Sequence, residues 1–169
     1  NLKYHWDDRV KLKNDYEYIK DFYKRVLVNI SNRLNIIHNE NHHINYWRII
    51  IGPWLILYTS IIYDRWEMLR LAFSNEKKFT YVELEQPNIN AVDFNHFVHI
   101  MQTDDWNYQI YHRIIESHYS SYIKIEKKLK REIDIDYSEN SNNTLSYKLI
   151  NYLEIFLKLF NNKKKYFFY

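Results

Sequence analysis

The sequence predicts a mainly α-helical fold organised around one central buried helix, on the strength of three observations. Apolar residues recur at three- and four-residue steps along most of the chain. Breakers are scarce, with one glycine and two prolines in 169 residues. The only glycine, one proline and Trp47, Trp54 and Trp66 of the five tryptophans all fall in YWRIIIGPWLILYTSIIYDRW, residues 46–66.

In that stretch Trp47, Ile50, Ile51, Trp54, Tyr58, Ile61, Ile62, Arg65 and Leu69 keep helical spacing. Ile49, Ile56 and Leu57 make the opposite side apolar too, so a helix over about 46–73 is expected to be surrounded by protein, with Trp54 in its core. Pro53 has no N–H and its ring crowds the preceding turn, so the main run either begins at Gly52-Pro53 or kinks there.

Ahead of it, residues 10–37 carry Tyr16, Ile19, Phe22, Tyr23, Val26, Leu27, Ile30, Leu34 and Ile37 on one face, an amphipathic helix that should cover the central one. Asp7 or Asp8 is placed to cap it. HNENHHIN, residues 38–45, reads as a loop between helices.

After a break at 74–78, FTYVEL (79–84) alternates like a strand but has no obvious partner. Residues 91–101 read as a short helix. Thr103, followed by Asp104 and Asp105, reads as the start of another helix reaching about Tyr119. Residues 120–135 could be an extended piece passing into a basic turn. Residues 137–143 read as a flexible loop, residues 144–160 return to helical periodicity, and Tyr166–Tyr169 look like the start of a strand. The whole is expected to be a single α-rich domain, or a portion of one, with one or two marginal strands.

Composition narrows function mainly by exclusion. Twenty-four basic against 21 acidic residues give a net charge of +3, too balanced for the one-sided field that nucleic acid requires. The absence of cysteine removes disulfides, thiolate nucleophiles and thiolate metal sites. One glycine cannot build a phosphate-cradling loop, and the G-x-S-x-G elbow is missing. The apolar run 49–62 is too short to span a bilayer, which favours a cytoplasmic protein without a transmembrane segment.

The charged residues at the edges of the apolar core are the candidates for a site: His5, Asp8 and Arg9 in the opening motif, Arg48, Asp64 and Arg65 at the ends of the central helix. Unpaired buried charge is costly, so two readings stand. In one, an ion-pair network such as Asp8 with Arg65 joins the opening motif to the central helix. In the other, Arg48 and Arg65 line a polar pocket with His5 and hold an anionic group through the planar guanidinium fork. The catalytic residues are left unknown. No metal site is assigned: His38, His42 and His43 fall in a loop, and Asp93, His96 and His99 fit the polar side of a short helix.

YHWDDR near the start, LNIIHNENH, then YWRIIIGPWLILYTSIIYDRW, and finally P-x5-DF followed by DDWN, stand in an order that resembles a family of transferases of bacterial O-antigen and surface-polysaccharide biosynthesis clusters. The likeness covers residues 4–119. It implies a portion, from the N-terminal half, of a larger α/β glycosyltransferase-like protein that transfers a sugar or related group from a nucleotide-activated donor to a glycan or lipid-linked acceptor. It also implies work in the cytoplasm at the inner face of the membrane, peripherally associated, and no cofactor within these residues. A portion alone would be inactive. From another class, a non-catalytic helical interaction module is the alternative.

Overall fold

The computed structural model describes residues 2–75, 79–84, 89–120 and 123–129. The fold is mainly α-helical, and the chain divides into two compact units, 1–72 and 73–169.

The first unit is a helical hairpin with a short lead-in. A 3-10 turn, His5–Asp7, precedes α1, Arg9–His38. Asp8 starts α1: its backbone is extended and its Oδ1 accepts from the N–H groups of Val10 (2.8 Å) and Lys11 (3.1 Å), two of the donors that a helix start leaves unpaired. Asn39 ends it in the left-handed conformation (φ 53°, ψ 45°), donating its N–H to the last turn. With so little glycine in the chain, asparagine supplies the residue that tolerates this geometry.

Five residues later the chain re-enters a helix, α2, Ile44–Asn75, whose last turn carries it past the unit boundary. The two helices run antiparallel. Asn35 meets Trp47, Tyr23 lies against Gly52, Asp15 meets Tyr63 and Lys11 meets Glu67, so residues later in α1 face residues earlier in α2. Ile19, Val26, Leu27 and Leu34 from α1 and Trp47, Leu55, Tyr58 and Ile62 from α2 form the buried core.

Two expectations about the central helix need correction. Of the two alternatives at Gly52-Pro53, a start there is excluded: the helix begins at Ile44, close to the expected 46, and Pro53 sits inside it. The carbonyl that proline leaves without a donor belongs to Ile49, a residue 79% exposed, so water can reach the gap. Nor is α2 apolar-packed on all sides, since Ile49, Ile50 and Ile56 are exposed and Trp54 is only half-buried. Among the described residues of the first unit, α1 packs along one stripe of α2; Leu55, Thr59 and Ile62 of α2 are at most 1% exposed. Tyr16, expected on the covered face of α1, is likewise exposed.

The second unit contains β1 (Phe79–Leu84), α3 (Phe94–Ile100), α4 (Asp104–His118) and β2 (Ile123–Leu129). The strand partner that the sequence did not disclose is β2: the strands pair in parallel from Phe79↔Ile123 to Leu84↔Leu129, with an irregularity between Tyr81 and Val82. Parallel neighbours need a crossover, which the α3–α4 segment supplies. Asp93 caps α3 through the His96 N–H, and Thr103 caps α4 through the Trp106 N–H. Phe97 meets Trp106 edge-on over a core of Ile100, Ile110 and Ile114. Gln109 clamps Ile89 through both its N–H (2.9 Å) and its carbonyl (3.2 Å). The loop expected at 137–143, the helix at 144–160 and the strand start at Tyr166 lie outside the described residues.

Candidate functional site

The polar residues of the first unit converge on the open end of the hairpin, where the 3-10 turn lays the opening motif across α1 and α2. His5 is at the centre, its side chain wholly buried. Its Nε2 donates to Asp64 Oδ1 at 2.9 Å, and its Nδ1, without a hydrogen bond, lies 3.6 Å from Asp15 Oδ2. Three rings surround it: Tyr4 and Trp6 from the turn, Tyr63 from α2, with Trp6 and Tyr63 stacked.

Asp15 accepts from three different residues. Its Oδ1 accepts from the Tyr63 hydroxyl (2.7 Å), and its Oδ2 from Trp6 Nε1 (3.0 Å) and Lys11 Nζ (2.8 Å). Lys11 also reaches Glu67 Oε1 at 2.8 Å, and Arg70 grips the same Glu67 with two donors at 2.8 and 2.7 Å. Asp64 pairs with the adjacent Arg65 as well as with His5. Lys11, Arg65 and Arg70 thus balance Asp15, Asp64 and Glu67 one for one, as carboxylates this buried require.

These contacts move the ionisation of several groups. Burial pushes the Glu67 carboxyl up, but hydrogen bonds from Arg70 and Lys11 outweigh it and bring it to about 2. Burial lowers Lys11, and its bonds to Asp15 and Glu67 more than reverse the effect. The Tyr63 phenol is raised strongly by burial and by its bond to Asp15. Tyr4 is raised to about 12 by burial and by a hydrogen bond to Asp64.

Of the residues singled out from sequence, His5, Asp64 and Arg65 are brought together. Asp8 is occupied in capping α1, and Arg9 opens that helix on the exposed side. Asp8 therefore does not make the pair with Arg65; the opening motif is tied to α2 through His5 and Asp64 instead. Arg48 is exposed, bonded to Asn45 at 3.0 Å, and sixteen residues before Asp64 on the same helix, about 24 Å along its axis. It cannot share a pocket with His5 and Arg65.

Sequence reasoning missed Asp15, Glu67, Lys11 and Tyr63 as partners. Asp15 stands in register with Leu12, Ile19 and Val26, an acid on the face where apolar residues are due. Glu67 follows Tyr63 by four residues in the same way. Acids on an otherwise apolar stripe were the signal. Of the histidines weighed as metal ligands, His42 stacks on Tyr46, His38 on Trp47, His43 accepts from the Asn45 N–H and His96 from the Val92 N–H.

Fold and site together define a helical protein whose opening motif is locked onto a two-helix hairpin by a buried His-Asp-Tyr-Trp network. The family model of the LIC12162 family transferase matches residues 1–169, and the chain belongs to that family. No curated protein and no solved structure matches it. Among the described residues, no helix is long and apolar enough to cross a membrane.

Proposed function

We propose that this transferase acts in lipopolysaccharide O-antigen or surface-polysaccharide assembly, moving a sugar or related group from a nucleotide-activated donor to a glycan or lipid-linked acceptor. Membership of a transferase family across the chain is the observation that carries the reading. The order of the motifs from YHWDDR to DDWN supplies the polysaccharide context. The reaction belongs in the cytoplasm, with the protein held peripherally at the inner face of the membrane where a lipid-linked acceptor would lie. Within these residues no cofactor is assigned a role.

Arg65 is the residue given a part in transfer. It is the network's arginine next to His5 and Asp64, and its side chain is 26% exposed, so it joins the buried motif to the surface. A guanidinium fixed there would stabilise phosphate charge growing on the leaving nucleotide, an effect usually worth orders of magnitude in rate. Lysine keeps the charge and loses the fork.

The test is product formation by the full-length protein with a panel of nucleotide-activated sugars and a lipid-linked acceptor, followed by the same assay on Arg65→Lys. Donor-dependent release of nucleotide, lowered at least about a hundredfold in Arg65→Lys at near-native stability, supports the reading. Absence of turnover with every donor refutes it, and an Arg65→Lys protein with native turnover removes Arg65 from the site.

A second reading, a helical module that docks a partner, draws on one feature. Tyr46, Ile49, Ile50 and Ile56 leave an exposed apolar stripe on the first half of α2. Under that reading Ile49→Glu and Ile50→Glu abolish association and leave folding intact.

A further inference from the structure

The turn between α1 and α2 carries a feature that the network at the other end of the hairpin does not use. An open groove of about 710 Å³ is lined by Asn32, Asn35, Ile36, Asn39, Glu40 and Asn41. Its walls are held in place from behind. Asn35 Oδ1 accepts from Trp47 Nε1 (2.8 Å) and the His42 N–H (3.1 Å), and Asn35 Nδ2 donates to the His42 carbonyl (2.9 Å). The Glu40 N–H donates to the Asn35 carbonyl (2.9 Å), closing the left-handed turn at Asn39. One side chain of α1, Asn35, therefore ties the reversal down behind this open surface, whose other lining residues are exposed.

Its chemistry is specific in what it offers and what it lacks. The carboxamides of Asn32, Asn39 and Asn41 make no hydrogen bond among the described residues, and each presents both donors and an acceptor. The Glu40 carboxylate, with His42 Nε2 no nearer than 3.8 Å, can accept from two adjacent hydroxyls. Ile36, 70% exposed, is an apolar surface between them. Among the described residues no lysine or arginine lines the groove, and it lies at the carbonyl end of a 30-residue helix, where the dipole disfavours anions.

The geometry points to a binding site for a neutral polyhydroxylated ligand, a hexose or a segment of neutral glycan, with its C–H face on Ile36 and its hydroxyls shared among the three asparagines and Glu40. A phosphate-bearing ligand is disfavoured by Glu40 and the helix end. The assignment does not rest on the donor chemistry proposed above: a protein that bound glycosides here and transferred nothing would leave it intact.

The test is saturation-transfer NMR on the full chain with methyl glycosides of glucose, galactose and N-acetylglucosamine, and with glucuronate and inorganic phosphate as anionic controls. Transfer to ring protons of at least one glycoside is expected at millimolar affinity, with amide shifts confined to residues 32–41. Asn32→Ala and Glu40→Gln should each weaken it about fivefold, the equivalent of one hydrogen bond, while the circular dichroism stays native. Asn39→Gly keeps the left-handed turn, and it should weaken binding without loosening the loop. Transfer to none of the glycosides, transfer unchanged in all these variants, or an equal response to phosphate would overturn the assignment.

Discussion

Asp15→Ala should be among the most damaging polar substitutions in the first unit. The carboxylate is buried and takes hydrogen bonds from Tyr63, Trp6 and Lys11 at 2.7, 3.0 and 2.8 Å. Lys11 keeps Glu67 when Asp15 is gone, but the Tyr63 hydroxyl and the Trp6 indole lose their acceptor. Each donor left unsatisfied in the interior costs about 1–3 kcal/mol, so a loss of about 3–5 kcal/mol is expected, a large share of a small domain's stability. Tyr63→Phe deletes one donor and leaves Asp15 its other two, and should cost only about 1 kcal/mol. Urea denaturation of both single variants and the double, at unchanged m-value, measures this. In the Asp15→Ala background Tyr63→Phe should cost nothing, because the orphaned hydroxyl is then removed. An Asp15→Ala loss below about 1 kcal/mol, or additive effects of the two changes, would show that the network does not hold the opening motif in place.

Acid should act through Glu67, whose pKa falls from 4.5 to about 2 on folding. Its contribution, on the order of 2 kcal/mol, is complete above the unfolded value and disappears as the pH drops from about 4.5 toward 2; Glu67→Gln should flatten the denaturation profile there. Leu55→Ala, at a position with no exposure, should lose about 3 kcal/mol in chemical denaturation, and Trp54→Ala, half-buried and stacked on Tyr58, less than that. At Gly52 an added Cβ would lie 2.9 Å from the Tyr23 hydroxyl oxygen, so the gain of about 1 kcal/mol that alanine brings to a helix interior is offset by the clash. Tyr23→Phe removes that oxygen, and Gly52→Ala should stabilise the Phe background and not the wild type; equal effects in both would mean the ring already yields.

The helices were legible because their signals are local. The N-cap at Thr103, the loop after His38 and the amphipathic period of α1 each depend on residues within a turn or two of one another. The pairing of β1 with β2 was not legible, since its partner lies more than 40 residues on and a parallel register is fixed by the intervening helices rather than by a turn. Exposure of Ile49 and Ile50 escaped as well: periodicity says which residues share a face, and only the number of neighbouring elements says whether that face is covered.

For the site the division is sharper. The sequence by itself put His5, Asp8, Arg9, Arg48, Asp64 and Arg65 beside the apolar core and required them to be paired or functional if buried; of these, His5 and Asp64 are buried and Arg9 and Arg48 are exposed. It also offered Asp7 or Asp8 as the cap of α1, and the structure assigns that part to Asp8, one residue before the helix. Only the tertiary structure decided who pairs with whom. The antiparallel hairpin brings Asp15 to Tyr63 across 48 residues and His5 to Asp64 across 59, and it sets Arg48 at the far end of the helix from both. Those distances in sequence carry no periodic trace, so the network's membership follows from how two helices and a short turn meet in space.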